Sequence, residues 1–340
     1  MKVIKLTNKE RVVLSITHRQ PDIVPFDIGF TQSARQKMAA YMGRADFDKD
    51  WERFLLTANL APPNEMREIA PGIVCDEWGV HWNRTRDKDI GVVCNTQVTP
   101  ENITDYAVPD PTLPERYTHL KRITENGGSD AYVVASIGFS LFERAWTLAG
   151  MENIFMAMLV DKPFVNQLLD KILAFNLAVI DAACAYPIDG MRFGDDWGGQ
   201  NGLLMGPDLW REFIGPRVRQ MYARVKSYGK QVFIHSCGKV DEIFLDLIEY
   251  GLDVFNPFQP EVIDVYEAKK KYGSSLTFYG GISTQRLLPY GTPAQVRAEV
   301  RRLLAEVGEN GGLIAAPAHS IPGDAQPANI MAMVETLHAQ

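Results

Sequence analysis

His235 and Cys237 stand two positions apart in Gln231-Val-Phe-Ile-His-Ser-Cys-Gly238. Imidazole and thiolate are preferred ligands of zinc, and extended or turning chain can aim an i, i+2 pair at one ion. Val232, Phe233 and Ile234 form a short β-favouring run, and from Lys239 to Tyr250 apolar residues recur at helical spacing until Gly251. The pair therefore sits where a buried strand hands over to a helix. Two ligands are not a site, because a buried thiol beside a hydrogen-bonded histidine explains the same pair without metal. A second imidazole, His319, follows the last apolar run in Ala316-Pro-Ala-His-Ser-Ile-Pro322. Alone it reads equally well as a loop histidine. Taken together, three ligands and one open position are the pattern of a catalytic zinc, whereas structural zinc is closed by four.

Other polar residues compete for roles. Asp76, in Ile73-Val-Cys-Asp-Glu-Trp-Gly79, is either a turn former beside glycine or a functional carboxylate. Asp195 and Asp196 follow another strand-like run, and they either bind loop amides or take part in chemistry. Glu143 falls in the first turn of a helix after a third. Gln259 and Gln285 can both donate and accept, which suits substrate orientation, and Gln200 and Trp197 join them as substrate-binding candidates. Trp78, Trp82, Phe139, Phe142 and Trp197 read either as an aromatic wall for a substrate or as plain core. His18, at a helix end, reads as structural.

These residues need elements to hold them. Thr7-Asn-Lys-Glu10 is a capping box that opens a helix to about His18. Val24–Ile28 predicts a strand, 33–60 predicts two helical pieces ended by Ala61-Pro-Pro63, and 73–82 predicts a strand or hairpin. Residues 113–124 predict a short helix. From residue 130 short apolar runs at 131–137, 189–193, 232–234, 252–255, 276–279 and 312–316 alternate with helical stretches. Such strand-then-helix units imply a parallel sheet with right-handed crossovers. With no glycine fingerprint after the first strand, the pattern favours one (β/α)8 TIM barrel, an α/β fold over residues 1–340 with an N-terminal helical extension. In a barrel the residues after each strand converge on one mouth.

The 340 residues include 46% hydrophobic ones, enough for a large core. A balance of 35 basic against 42 acidic residues, net −7, argues against non-specific nucleic-acid binding. Met1–Arg19 is polar and charged rather than a secretory signal, and no run approaches the ~20 apolar residues of a membrane span. The expectation is a cytoplasmic protein. Cys75, Cys94, Cys184 and Cys237 follow no disulfide framework, as befits a reducing compartment.

Glu10-Arg-Val-Val-Leu14, His18-Arg-Gln-Pro-Asp-Ile-Val-Pro25, Phe193-Gly-Asp-Asp-Trp197, His235-Ser-Cys-Gly238, Tyr279-Gly-Gly-Ile282, Pro317-Ala-His319 and Pro327-Ala-Asn-Ile330 together resemble the uroporphyrinogen decarboxylase superfamily. The likeness covers essentially the whole chain and implies a single (β/α)8 barrel. Within it, His-Ser-Cys-Gly is similar to the zinc-dependent branch that moves methyl groups between a small molecule and cobalamin carried by a corrinoid protein. That likeness implies a Zn2+ cofactor at His235, Cys237 and His319, a corrinoid partner and a small-molecule methyl donor or acceptor, a methyl ether being one form. Asp76, Glu143 or Asp196 would then serve as a further, displaceable ligand or as a carboxylate orienting a histidine. Two departures matter. True decarboxylases carry an Arg-Gln-Ala-Gly-Arg segment for the carboxylates of their tetrapyrrole, whereas this chain has Ile28-Gly-Phe-Thr-Gln-Ser-Ala-Arg35. The methyltransferase branch has a cysteine where this chain offers His319, so His319 or a carboxylate can complete the metal set. The competing expectation is a decarboxylase of a smaller substrate acting through Asp76 without metal. Assembly is left open, a homodimer included.

Overall fold

The computed structural model describes residues 5–63, 65–125 and 130–340; Met1–Ile4, part of the segment expected to be no signal, lie outside them. Seven parallel strands form one curled sheet: β1 Leu55–Asn59, β6 Tyr132–Ile137, β7 Gly190–Gly194, β8 Gln231–His235, β9 Val254–Phe258, β10 Thr277–Ile282 and β11 Leu313–Pro317, in that spatial order. Every residue of β6, β9, β10 and β11 is buried, as expected for strands covered by helices on one face and packed against a filled interior on the other. Six of these strands lie where the apolar runs predict them.

The expectation of eight strands is met by seven. Val24–Ile28 contributes only a parallel bridge, Phe26 to Ala315, with Asp27 N–H donating to Ala315 O at 3.0 Å and Ala315 N–H to Pro25 O at 2.8 Å. Proline at position 25 has no N–H to extend the ladder. Among the described residues no backbone hydrogen bond joins this segment to β1, although the Phe26 and Phe54 rings pack at 4.7 Å. Leu55–Asn59 corrects a helical expectation. A short apolar run is ambiguous by periodicity, and pairing with β6 from Leu55↔Tyr132 to Asn59↔Ser136 decides it.

A small antiparallel sheet of β2 Arg67–Ala70, β3 Ile73–Cys75, β4 His81–Asn83 and β5 Val92–Val93 extends the expected hairpin. The N-terminal helix Asn8–Ile16 opens with the predicted capping box: Thr7 and Glu10 satisfy each other's backbone N–H groups, a device that stabilises a helix by about 1 kcal/mol. Long helices, among them Lys162–Cys184 and Pro327–His338, cover the outside of the sheet. No helix of the described residues is long and apolar enough to cross a membrane.

Candidate metal centre

The carboxyl ends of the strands open on one cavity of about 340 Å3, whose wall takes residues from all seven strands and from the Phe26 segment. It is bounded by Asp27, Asn59, Ser136, Arg192, His235, Asn256, Tyr279 and Pro317, with Asp196 and His319 from the following loops and Glu143 from the start of a helix. Parallel topology places strand ends together in this way.

His235, Cys237 and His319 meet there, with one ligand atom from each lying within 4.8 Å of the others. Cys237 Sγ is 3.5 Å from His235 Nε2, and the two imidazole rings stand 5.6 Å apart. His235 closes β8, where pairing with Gly194 and Asn256 fixes its backbone. Its tautomer follows from its neighbours. Asn256 Nδ2 donates to Tyr279 O at 3.0 Å, so Asn256 turns Oδ1 toward His235 Nδ1 at 2.5 Å. The proton therefore sits on Nδ1, and the Nε2 lone pair faces Cys237 and His319. That is the state a metal-binding histidine requires. Burial also depresses the His235 pKa, which favours the neutral ring.

The loop carrying Cys237 is zipped to the loop after β7. Asp195 N–H donates to His235 O at 2.9 Å, Trp197 N–H to Ser236 Oγ at 3.1 Å, Cys237 N–H to Asp196 Oδ1 at 2.8 Å and Lys239 N–H to Gly199 O at 2.8 Å. Gly238 makes this possible. Its φ is +86°, and a Cβ there would fall inside the backbone of Gly198. Burial, with the carboxylates of Asp196 and Glu143 nearby, pushes the Cys237 thiol well above its ordinary range. A metal cation would reverse that preference, since the thiolate is the ligand and binding releases the proton. Two neutral imidazole nitrogens and one thiolate suit zinc, and His319 is exposed at the mouth, leaving room for a fourth, exchangeable partner.

The two adjacent aspartates divide their work. Asp195 is fully buried and accepts from the N–H groups of Leu141, Phe142 and Glu143, capping the helix Phe142–Ala149, and from Trp197 Nε1 at 2.6 Å. Burial lifts its pKa to about 6 while these four donors pull it down. Asp196 turns the other way, into the cavity wall. Glu143, brought to that wall by the capped helix, is raised above the ordinary carboxyl range by burial and by the charges of Asp196 and Asp195, which favours its protonated form.

The structure does not bring the remaining sequence candidates to the cavity wall. Asp76 is buried in its own cluster, accepting from Trp78 N, Val80 N, Trp82 Nε1 and Arg144 Nη1, the last at 2.8 Å. Trp197 is buried against Trp210, Gln259 is buried after β9, and Gln200 and Gln285 are exposed. Of the aromatic candidates, Phe139 lines the cavity. Asp27, Arg192, Asn256 and Tyr279 are wall residues that sequence reasoning passed over. Each is a polar side chain inside an apolar run or at its end, which is the signal that could have found them. Arg35, the lone arginine of the segment after the first strand-like run, pairs with Asp48 at 2.9 Å and is not on the wall.

The family model for uroporphyrinogen decarboxylase matches residues 75–340. The chain belongs to the uroporphyrinogen decarboxylase family. A decarboxylase of Neisseria meningitidis is 28% identical over 178 residues, covering 50% of this chain and 48% of that protein. The match thus spans about half the length of such curated relatives. The methylcobamide:CoM methyltransferase MtaA of Methanosarcina barkeri is 27% identical over 245 residues, 69% of this chain and 68% of its own. In three dimensions the chain is similar to a methyltransferase from Methanosarcina mazei, with a TM-score of 0.72 at 18% identity over 98% of this chain and 99% of that one, a likeness of fold.

Proposed function

We propose that the protein is a zinc-dependent methyltransferase that moves a methyl group between a small molecule and the cobalamin of a corrinoid protein. The observation that carries this reading is the convergence of His235, Cys237 and His319 at the mouth, with the His235 lone pair aimed at the other two ligands. The methyltransferase relative supports it. Decarboxylases of the family match at similar identity, but a tetrapyrrole with many carboxylates asks for a cluster of cations. Among the described residues Arg192 is the only lysine or arginine on the wall.

Zinc held by His235, Cys237 and His319 would supply Lewis acidity toward an ether oxygen or would favour a bound thiol as thiolate. The chain's own groups do the rest. Asn256 holds the His235 proton on Nδ1, and the zipped loops hold Cys237 in place. In demethylation the bonding pair of the O–CH3 bond would stay on oxygen, and the methyl group would leave for the corrinoid of the partner protein. Glu143 lines the same cavity, and burial favours its protonated form, so it would give its proton to that oxygen. Phe139 narrows the wall against water.

The test is metal content by elemental analysis together with methyl transfer to a reduced corrinoid, followed by its absorbance. We expect one zinc per chain, lost with the activity in Cys237→Ala. Full activity in a metal-free preparation, or unchanged turnover in Cys237→Ala, would end this reading in favour of a decarboxylase or a ligand-binding barrel.

A further inference from the structure

Arg192 occupies the middle of the interior strand β7, paired in register with Ser136 of β6 and Phe233 of β8. Its neighbours Met191 and Phe193 are fully buried on the opposite face, so alternation along the strand sends Arg192 into the cavity. A guanidinium inside a parallel sheet is costly unless it is paired. Here the protein supplies one neutral partner: Arg192 Nε donates to Ser136 Oγ at 3.2 Å. Among the described residues no carboxylate lies within ion-pair distance of it, and neither terminal nitrogen has a protein acceptor. Two of the three wall carboxyl groups are engaged elsewhere, Asp27 by the Tyr279 hydroxyl and Asp196 by the Cys237 N–H. Arginines that are fully buried are treated differently: Arg116, for example, is paired with Glu77 at 2.6 Å and Arg144 with Asp76 at 2.8 Å.

The chamber therefore holds one positive charge with two free parallel donors, on the same wall as His235. Parallel N–H pairs of this kind match the two oxygens of a carboxylate. We propose that Arg192 is a specificity-determining residue that anchors a carboxylate of the small-molecule substrate, orienting its reacting end toward the His235, Cys237 and His319 site. The substrate class is thus a small carboxylic acid, in contrast to a neutral ether or alcohol. The inference rests on the proposed function only in taking this cavity as the substrate's chamber.

Binding tests it separately from turnover. Titration calorimetry on the zinc-loaded protein would compare methoxyacetate with methoxyacetamide and 4-methoxybenzoate with 4-methoxybenzamide, acids against uncharged isosteres. For at least one pair the acid should bind about ten- to a hundred-fold more tightly, the range of a charge-assisted, bidentate contact. Arg192→Met should erase that preference, and Arg192→Lys, which keeps the charge but not the fork, should retain part of it, with melting curves showing both variants folded. If either variant does not fold, the acid-against-amide comparison on the unaltered protein decides. Equal binding within both pairs, no binding by either acid, or a preference that survives in Arg192→Met would overturn the proposal. Acid preference in a protein that transfers no methyl group would sink the methyltransferase reading and leave this one standing.

Discussion

The hydrogen bond from His235 to Asn256 makes the sharpest prediction, because it couples a residue outside the ligand set to metal affinity. In Asn256→Ala the acceptor 2.5 Å from His235 Nδ1 disappears, as does the donor that held Asn256 on Tyr279 O. His235 then keeps a buried N–H with no partner and is free to move its proton to Nε2, the atom that must coordinate. Removing one side of a buried hydrogen bond costs about 1–3 kcal/mol. Loss of the outer partner of a metal-binding histidine weakens affinity by about 10–100-fold, or about 1.4–2.7 kcal/mol, within the same range. Zinc affinity is measured by competition with a chromophoric chelator at fixed pH, alongside a melting curve that separates lost metal from lost fold. Asn256→Asp keeps an acceptor for His235 while facing a carbonyl at Tyr279. It should hold zinc better than Asn256→Ala but melt below the unaltered protein. An unchanged zinc affinity in Asn256→Ala would refute the argument, since it would mean that neither the tautomer nor the ring orientation depends on this contact.

Two further outcomes are expected. Asp76→Ala leaves Arg144, which is almost fully buried, without its carboxylate, and should lower the unfolding free energy by about 3–5 kcal/mol in urea titration while leaving zinc affinity intact; wild-type stability with abolished turnover would instead make Asp76 a catalytic group. Asp48 is held at about 2 by Arg35 and Arg53. A pKa depressed from 3.8 stabilises the fold above pH 4, and this contribution fades as the pH falls through about 2. Because both arginines are nearly half exposed, the contribution is about 1 kcal/mol rather than the full shift. Asp48→Asn should therefore destabilise at pH 7 and do so much less near pH 2, and an equal loss at both pH values would contradict it.

The fold was most legible where the sheet is most regular. Strands β6 to β11 are short apolar runs bounded by glycine, proline or aspartate, a pattern that a strand buried on both faces must show. Legibility failed at the seam. Leu55-Leu-Thr-Ala-Asn59 mixes residues with no decisive preference, and only its register against β6 makes it a strand. Val24–Ile28 has the composition of a strand, but Pro25 limits the ladder to the contacts around Ala315. Both failures share a cause: strand identity there comes from a partner more than seventy residues away for β1 and nearly three hundred for Phe26.

The site divides along similar lines. His235, Cys237 and His319 are visible because imidazole and thiol are uncommon residue types at strand ends, whereas the glutamines lie off the cavity wall, since a polar residue after a strand does not always turn toward the mouth. Asp195 and Asp196 show why spacing alone cannot settle direction. One caps a helix and the other holds the Cys237 amide, and the choice is made by hydrogen bonds between two loops that are forty residues apart. Arg192 and Asn256 were hidden for the opposite reason: one inside an apolar run and the other directly after one, they looked like an interruption and an end of a strand. In a barrel-like sheet one face of each strand lines the interior cavity, so a polar interruption marks the inward face near the mouth. Had that geometric rule been applied to the apolar runs, it would have selected Asp27, Arg192 and Asn256 from the sequence and passed over Gln200 and Gln285, which lie in loops beyond the strand ends.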